Sequence, residues 1–161
     1  MPPNFLLFLS YSHALTIATL SAGLPQSLVG KLQRVQNSAA RLVVPALTRV
    51  HITPILRDLH WLPIRARICY KTACLCFNAS TPAYLSDLLH LYSPSRSLRS
   101  SAVTGLLKIL LWKCKTKGDR AFPYFGPSVW NSLPLPIRNA TATDTFKSAL
   151  KTYLVNLKES D

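Results

Sequence analysis

Acidic side chains, which metal-dependent phosphoryl transfer and carboxylate-based hydrolysis both need in close pairs, are few in this sequence. The six acids are Asp58, Asp87, Asp119, Asp144, Glu159 and Asp161. Only the last two are near neighbours, and they stand at the end of the chain. Because catalytic metals and hydrolytic sites need two or three carboxylates together, we expect neither kind of site.

Histidine, serine and glycine patterns offer no better catalytic site. His51, His60 and His90 could each join a serine and an aspartate, but the G-x-S-x-G turn that exposes a nucleophilic serine is missing. A phosphate loop and the G-x-G-x-x-G pattern are missing too. We therefore predict that the chain is not an enzyme and uses no cofactor or small-molecule substrate.

The cysteines are spaced poorly for a zinc site. They are Cys69, Cys74, Cys76 and Cys114. Zinc ligands come in matched pairs such as C-x2-C, whereas three of these cysteines form C-x4-C-x-C. On a helix over 63–79, Cys69 and Cys76 share a face and Cys74 points elsewhere. We predict buried, reduced thiols and no metal.

Positive charge is the strongest signal in the composition. The chain has 19 Lys and Arg against 6 Asp and Glu, a formal net charge of +13. Such an excess favours a polyanionic partner, RNA or DNA, over an anionic membrane or a merely cationic surface. The candidate nucleic-acid-binding residues are Lys31, Arg34, Arg41, Arg65, Arg67, Arg96, Arg99, Lys115, Lys117 and Arg120.

Aromatic residues accompany the last of these cations. Trp112, Phe122, Tyr124, Phe125 and Trp130 lie within or beside the segment 115–139. Stacking on aromatic rings contributes about 1–3 kcal/mol per unpaired base, but rings at this density also build cores. We predict that Phe122 and Trp130 are core residues and leave open whether the three cations of the segment contact phosphate.

Helix signals dominate the elements that must position these residues, and the sequence predicts a mostly α, small irregular helical domain with a proline-rich segment near 118–140. The first helix runs from a Ser27 cap to about Val44. We expect its apolar stripe to be buried and its polar ridge to lie beside that stripe. The stripe is Leu28, Leu32, Val35, Ala39 and Leu42; the ridge is Lys31, Arg34, Ser38 and Arg41.

Proline marks the other boundaries. Helices are predicted over 53–61 with Thr53 as cap, over 63–79, over 82–91, and over 143–157 with four buried residues. Those four are Phe146, Leu150, Leu154 and Leu157. Residues 92–101 read as a loop, and 103–112 as a strand or a short helix. Prolines at 123, 127, 134 and 136 are expected to prevent any long regular element there.

The first 21 residues have three interpretations. Residues 5–20 are apolar, but they lack a basic start and fall short of the roughly 20 residues of a spanning helix. They could form a core or capping helix, a signal or membrane anchor, or a leader foreign to the rest. The glycosylation sequons at Asn78 and Asn139 matter only if the chain is secreted.

Six blocks of sequence, in order, carry a resemblance to a known family. They are GLPQSLVGKLQRVQNSAARLVV, HITPILRDLHWLPIRARICYKTA, PAYLSDLLHLYSPSRSLRSS, KTKGDRAF, WNSLPLPIRNA and TFKSALKTYL. Together they resemble the C-terminal region of the reverse transcriptase polyprotein of vertebrate non-LTR (LINE-type) retrotransposons. The resemblance implies that 22–157 is a helical region following the polymerase thumb, with 1–21 a leader outside the resemblance and 158–161 a tail.

The resemblance implies an auxiliary role in binding RNA or DNA, with the polymerase domains as partners. It also implies a location in the nucleus or cytoplasm. We expect the endonuclease, the fingers and the palm to be missing, so no catalytic aspartate transfers to a residue here. Departures from the family pattern at 1–21, 77–85, 106–117 and 123–130 also fit a decayed copy without a function of its own, unable to fold alone. A secreted or membrane-associated peptide is the weaker alternative.

Overall fold

The described part of the chain is mostly α-helical. A computed structural model describes residues 24–44, 50–78, 86–93, 105–110 and 121–157, and the predicted fold class, a small helical domain, is confirmed. The helices are α1 Gln26–Val43, α2 Ile52–Asp58, α3 Ile64–Phe77, α4 Phe122–Asn131, α5 Leu135–Arg138 and α6 Thr143–Asn156. The leader 1–21 and the tail 158–161 lie outside the described residues.

The main core lies where α3 packs against α4 and α6. Phe146 and Leu150 of α6 are fully buried, as predicted. The Phe146 ring stacks on Phe77 of α3, with 4.3 Å between the ring centroids, and lies 5.8 Å from the ring of Trp130 on α4. This aromatic cluster joins three helices that are far apart in sequence.

A second, smaller core lies between α1 and α2. It consists of Ala40 from α1 and of Ile55 and Leu56 from α2, with Trp61 packed against it. Helix α1 also contacts α3. The N-terminal pair of helices is thus attached to the main core through the start of α3.

The proline-rich segment is more regular than predicted. Helix α4 is ten residues long and contains Pro127, so the expectation that prolines prevent a long element is wrong for 122–131. Pro123 stands in the first turn, where no N–H is needed. Pro127 lacks the N–H that would bond to the carbonyl of residue 123, and its side chain is fully buried. Gly126 lets α4 approach α3, because an added Cβ would stand 3.2 Å from the Cys76 Sγ.

Two predicted helix caps are wrong. Helix α1 begins after Pro25 without any side-chain cap, and Ser27 lies inside its first turn. Helix α2 is capped by His51, whose ring nitrogen accepts a hydrogen bond from the Thr53 N–H. In both cases the helix begins two residues earlier than a cap at the hydroxyl residue would place it.

The predicted helix 82–91 does not extend to its expected end. Leu91 instead forms an antiparallel bridge with Leu107, and the side chain of Asn131 holds Leu107 through hydrogen bonds to its N–H (2.9 Å) and its carbonyl (2.8 Å). Residues 79–85 lie outside the described residues, as do 94–104 and 111–120. The described part of 103–112 is irregular apart from this bridge.

The predicted buried stripe of α1 faces solvent. Val35 is 68% exposed and Leu42 is 84% exposed, while Leu28 and Leu32 are also exposed. The buried residues of α1 are Val29, Gln36 and Ala40. The helix is therefore rotated about its own axis relative to the prediction, because hydrogen bonds of Gln33 and Gln36 hold a different side against the protein.

The end of α6 differs from its prediction in one residue. Leu154 is buried, but Leu157 follows the helix and is 50% exposed, so its predicted burial is wrong. The last turn extends past the core, and no described element covers it.

We predict that Phe146→Ala lowers the free energy of unfolding by about 3–5 kcal/mol, because it removes the ring shared by three helices and leaves a cavity. Urea unfolding followed by circular dichroism measures this. The matched control is Leu157→Ala, for which we expect less than about 1 kcal/mol because the side chain is half exposed. Equal losses for the two variants would contradict the packing described here.

Candidate nucleic-acid interface

Two glutamines turn the polar face of α1 toward the protein. The Gln36 Nε2 donates a hydrogen bond to the buried carbonyl of Leu62 (2.9 Å). The Gln33 Oε1 accepts one from the N–H of Ile64 (2.9 Å), at the start of α3. The N-cap of α3 is Pro63, which has no capping side chain, so Gln33 satisfies one of the N–H groups that the helix start leaves without a partner.

The same contacts direct the basic ridge of α1 outward. Lys31, Arg34 and Ser38 are exposed, and Arg41 is half-buried. Ten residues separate Lys31 from Arg41, about 15 Å along a helix. Helix α1 contains no acidic residue to neutralise these cations. Lys31 and Arg34 therefore present exposed positive charge on one side of α1, and the apolar stripe beside them is not buried.

Two further candidate residues lie at the beginning of α3. The Arg65 guanidinium donates a hydrogen bond to the Gln26 side-chain oxygen, which joins the first turns of α1 and α3. Arg67 is exposed. Arg65 thus lies at the N-terminal end of α1, whereas Arg41 lies at the opposite end of that helix. The described cations form an extended surface and not one cluster.

The other candidate residues lie outside the described part of the chain. They are Arg96, Arg99, Lys115, Lys117 and Arg120. Their role stays a prediction from sequence.

The aromatic residues of the described proline-rich segment serve packing. Phe122 and Trp130 are buried, which confirms their predicted place in the core. The Trp130 indole N–H donates a hydrogen bond to the Gly105 carbonyl (2.8 Å), so its polar edge is also occupied. Tyr124 and Phe125 are half-buried. Trp112 lies outside the described residues.

A pocket of about 180 Å³ between α1, α2 and α6 was not predicted from the sequence. Leu56 and Leu154 contribute apolar surface to its lining. The polar and aromatic lining includes Asn37, Arg57, His60, Trp61 and Lys151. His60 has a φ of 53°, in the left-handed region, and no local pattern in the sequence signals that conformation.

The thiols of α3 form no disulfide and have raised pKa values. Cys69, Cys74 and Cys76 form no disulfide. Burial raises the pKa of all three, and for Cys76 desolvation, together with the neighbouring Cys74, raises the pKa to about 12. All three side chains are half-buried, so the predicted burial is only partial. A desolvated thiol of this kind stays protonated near neutral pH, so it is a poor nucleophile.

Comparisons with known proteins add no family to these observations. The chain matches no family model, no curated protein and no solved structure. Within the described ranges, no three His, Cys, Asp or Glu side chains are grouped so that they could hold a metal ion. In the same ranges, no helix has the length and apolar character needed to cross a membrane.

We predict that Cys76 reacts slowly with iodoacetamide in a variant whose other three cysteines are replaced by serine. At pH 8 the rate should be about 1,000-fold lower than that of an unperturbed thiol, because the Cys76 thiolate is scarce. The rate should rise about tenfold per pH unit from pH 8 to 10. Mass spectrometry of quenched samples measures it. The same variant in urea is the control and should react at the ordinary rate. A plateau below pH 10 in the folded chain would contradict the burial of this thiol.

Proposed function

We propose that this chain is an auxiliary nucleic-acid-binding region, derived from the C-terminal part of a LINE-type reverse transcriptase, without catalysis of its own. Its partners are RNA or DNA and the polymerase domains of the parent protein. The observation that carries the proposal is the outward ridge of α1, in which Lys31 and Arg34 are exposed on a helix without acidic residues. The sequence blocks that resemble the family supply the biological setting.

The ridge suits a phosphate backbone better than a base-specific site. Its side chains are cations repeated at helical spacing. The aromatic residues Phe122 and Trp130 are buried in the protein and so are not exposed for stacking on bases. Cations that neutralise phosphates release condensed counterions, and each contact adds about 0.7 to 0.9 to the slope of log K against log salt. We therefore expect salt-dependent binding with little preference for sequence.

A second candidate, a product with no function of its own, is favoured by a different observation. Leu28, Leu32, Val35 and Leu42 form an exposed apolar stripe on α1, and a contiguous apolar surface of this kind is typical of a region whose partner is missing. A decayed copy would keep the inherited charge while losing any selected binding.

We predict that Lys31→Ala with Arg34→Ala weakens binding to single-stranded RNA and to duplex DNA, and lowers the slope of log K against log salt by about 1.4 to 1.8, since two phosphate contacts are lost. Fluorescence anisotropy between about 50 and 200 mM salt measures both quantities. Circular dichroism of the same samples checks that the fold is retained.

The matched control replaces two other exposed lysines, Lys71 and Lys151, with alanine. It removes the same net charge from surfaces outside the ridge, so we expect a clearly smaller change in slope. If the two double variants lose the same affinity and slope, binding reflects total charge and the ridge has no special role. If the unaltered chain does not bind at all, the second candidate is favoured.

A further inference from the structure

The exposed apolar side chains of α1 form a single surface. Leu28, Leu32, Val35 and Leu42 recur every three or four residues when the half-buried Ala39 is included, so they lie on one side of the helix. All four large side chains are exposed. We call this surface the apolar stripe of α1. A contiguous apolar surface on a small domain indicates an interaction site.

Rotation of α1 that buried the stripe would break contacts that hold the helix in place. Gln36 and Gln33 hold another side of the helix, roughly 100° around it from the stripe, through hydrogen bonds to the Leu62 carbonyl and the Ile64 N–H. Rotation would break both bonds and leave buried backbone groups without partners, which is costly. The stripe therefore needs a partner from outside the described helices.

The chain contains one segment with the right chemistry and the right position. Residues 1–30 include no Asp, Glu, Lys or Arg, and residues 5–20 are mostly apolar. This segment precedes α1 with only residues 21–25 between them. A five-residue connection is in the usual range for antiparallel helices, about 2–8 residues.

The length of α1 also agrees with the length that residues 5–20 would have as a helix. Helix α1 has 18 residues, about 27 Å, and a helix over the 16 residues 5–20 would be about 24 Å long. An antiparallel arrangement would place residues 5–20 along the whole stripe. Because the segment is joined to α1, it competes for the stripe at a high effective concentration.

Charge disfavours a second copy as the occupant. Helix α1 carries Lys31, Arg34 and Arg41 beside the stripe and has no acidic residue. Two copies packed stripe to stripe would bring these like charges together, which opposes association. The uncharged segment 5–20 adds no such repulsion.

We propose that residues 5–20 cover the apolar stripe of α1 within the same chain. The stripe is then an internal docking surface. This proposal does not depend on nucleic-acid binding.

Site-specific photocrosslinking of the full chain tests the proposal. Val35 on the stripe, or its neighbour Arg34 on the ridge as the control, is replaced with p-benzoylphenylalanine; the two positions are about 100° apart around the helix. After irradiation and trypsin digestion, fragmentation by mass spectrometry locates the crosslinked residues. We expect a monomeric product from Val35 linked to residues 5–20 and no such link from Arg34.

Other outcomes would overturn the proposal. A dimer-sized product would assign the stripe to a second copy. A link that forms only to lipid, when vesicles of phosphatidylserine and phosphatidylcholine are added, would assign it to a membrane. A monomer with no link to 5–20, or equal links from both positions, would leave the stripe uncovered by this segment. As a further check, Leu9→Asp in the Val35 probe chain should remove most of the crosslink while circular dichroism retains the helical signal.

Discussion

The position of α1 on the domain depends on two side-chain hydrogen bonds to a short piece of backbone. Residues 62–64 follow α2 and include the first residue of α3. The N-cap residue of α3 is Pro63, whose side chain makes no capping hydrogen bond. Gln36 and Gln33 of α1 satisfy the Leu62 carbonyl and the Ile64 N–H instead. A buried backbone group without a partner costs about 1–3 kcal/mol, so these two contacts, together with the buried Val29 and Ala40, favour the side of α1 that faces inward.

Both surfaces of functional interest follow from that choice. With the glutamines inside, the basic ridge faces solvent over most of its length and the apolar stripe is left without a partner in the described helices. The ridge can meet phosphates without any rearrangement of the main core, which α3, α4 and α6 build around Phe146. The stripe offers a separate apolar surface, and the uncharged residues 5–20 are the nearest segment in sequence that could cover it.

Local sequence patterns predicted the positions of the helices better than the contacts that the helices make. Proline and helical periodicity placed α1, α3 and α6 within one or two residues, because those signals act along the chain. They could not reveal the rotation of α1, since the amphipathic pattern shows a stripe but not the backbone groups at 62–64 that Gln33 and Gln36, on another side of the helix, satisfy. Similarly, nothing near Leu91 signals its pairing with Leu107, which Asn131 holds from a distant helix. Of the ten predicted nucleic-acid contacts, the described residues include Lys31, Arg34, Arg41, Arg65 and Arg67, and all of these except the half-buried Arg41 are exposed.

The most direct measurement of the rotation of α1 is a set of nuclear Overhauser effects in the full chain, recorded with labelled methyl and glutamine side-chain NH₂ groups. Strong effects from the Gln36 NH₂ protons to Leu62, and none from the Val35 or Leu42 methyl groups to Ile55 and Leu56, are predicted. Effects from those methyl groups to Ile55 and Leu56, with the Gln36 protons exchanging freely with water, would mean that the apolar stripe is buried. Such a result would contradict the rotation of α1 on which the proposals for the ridge and the stripe depend.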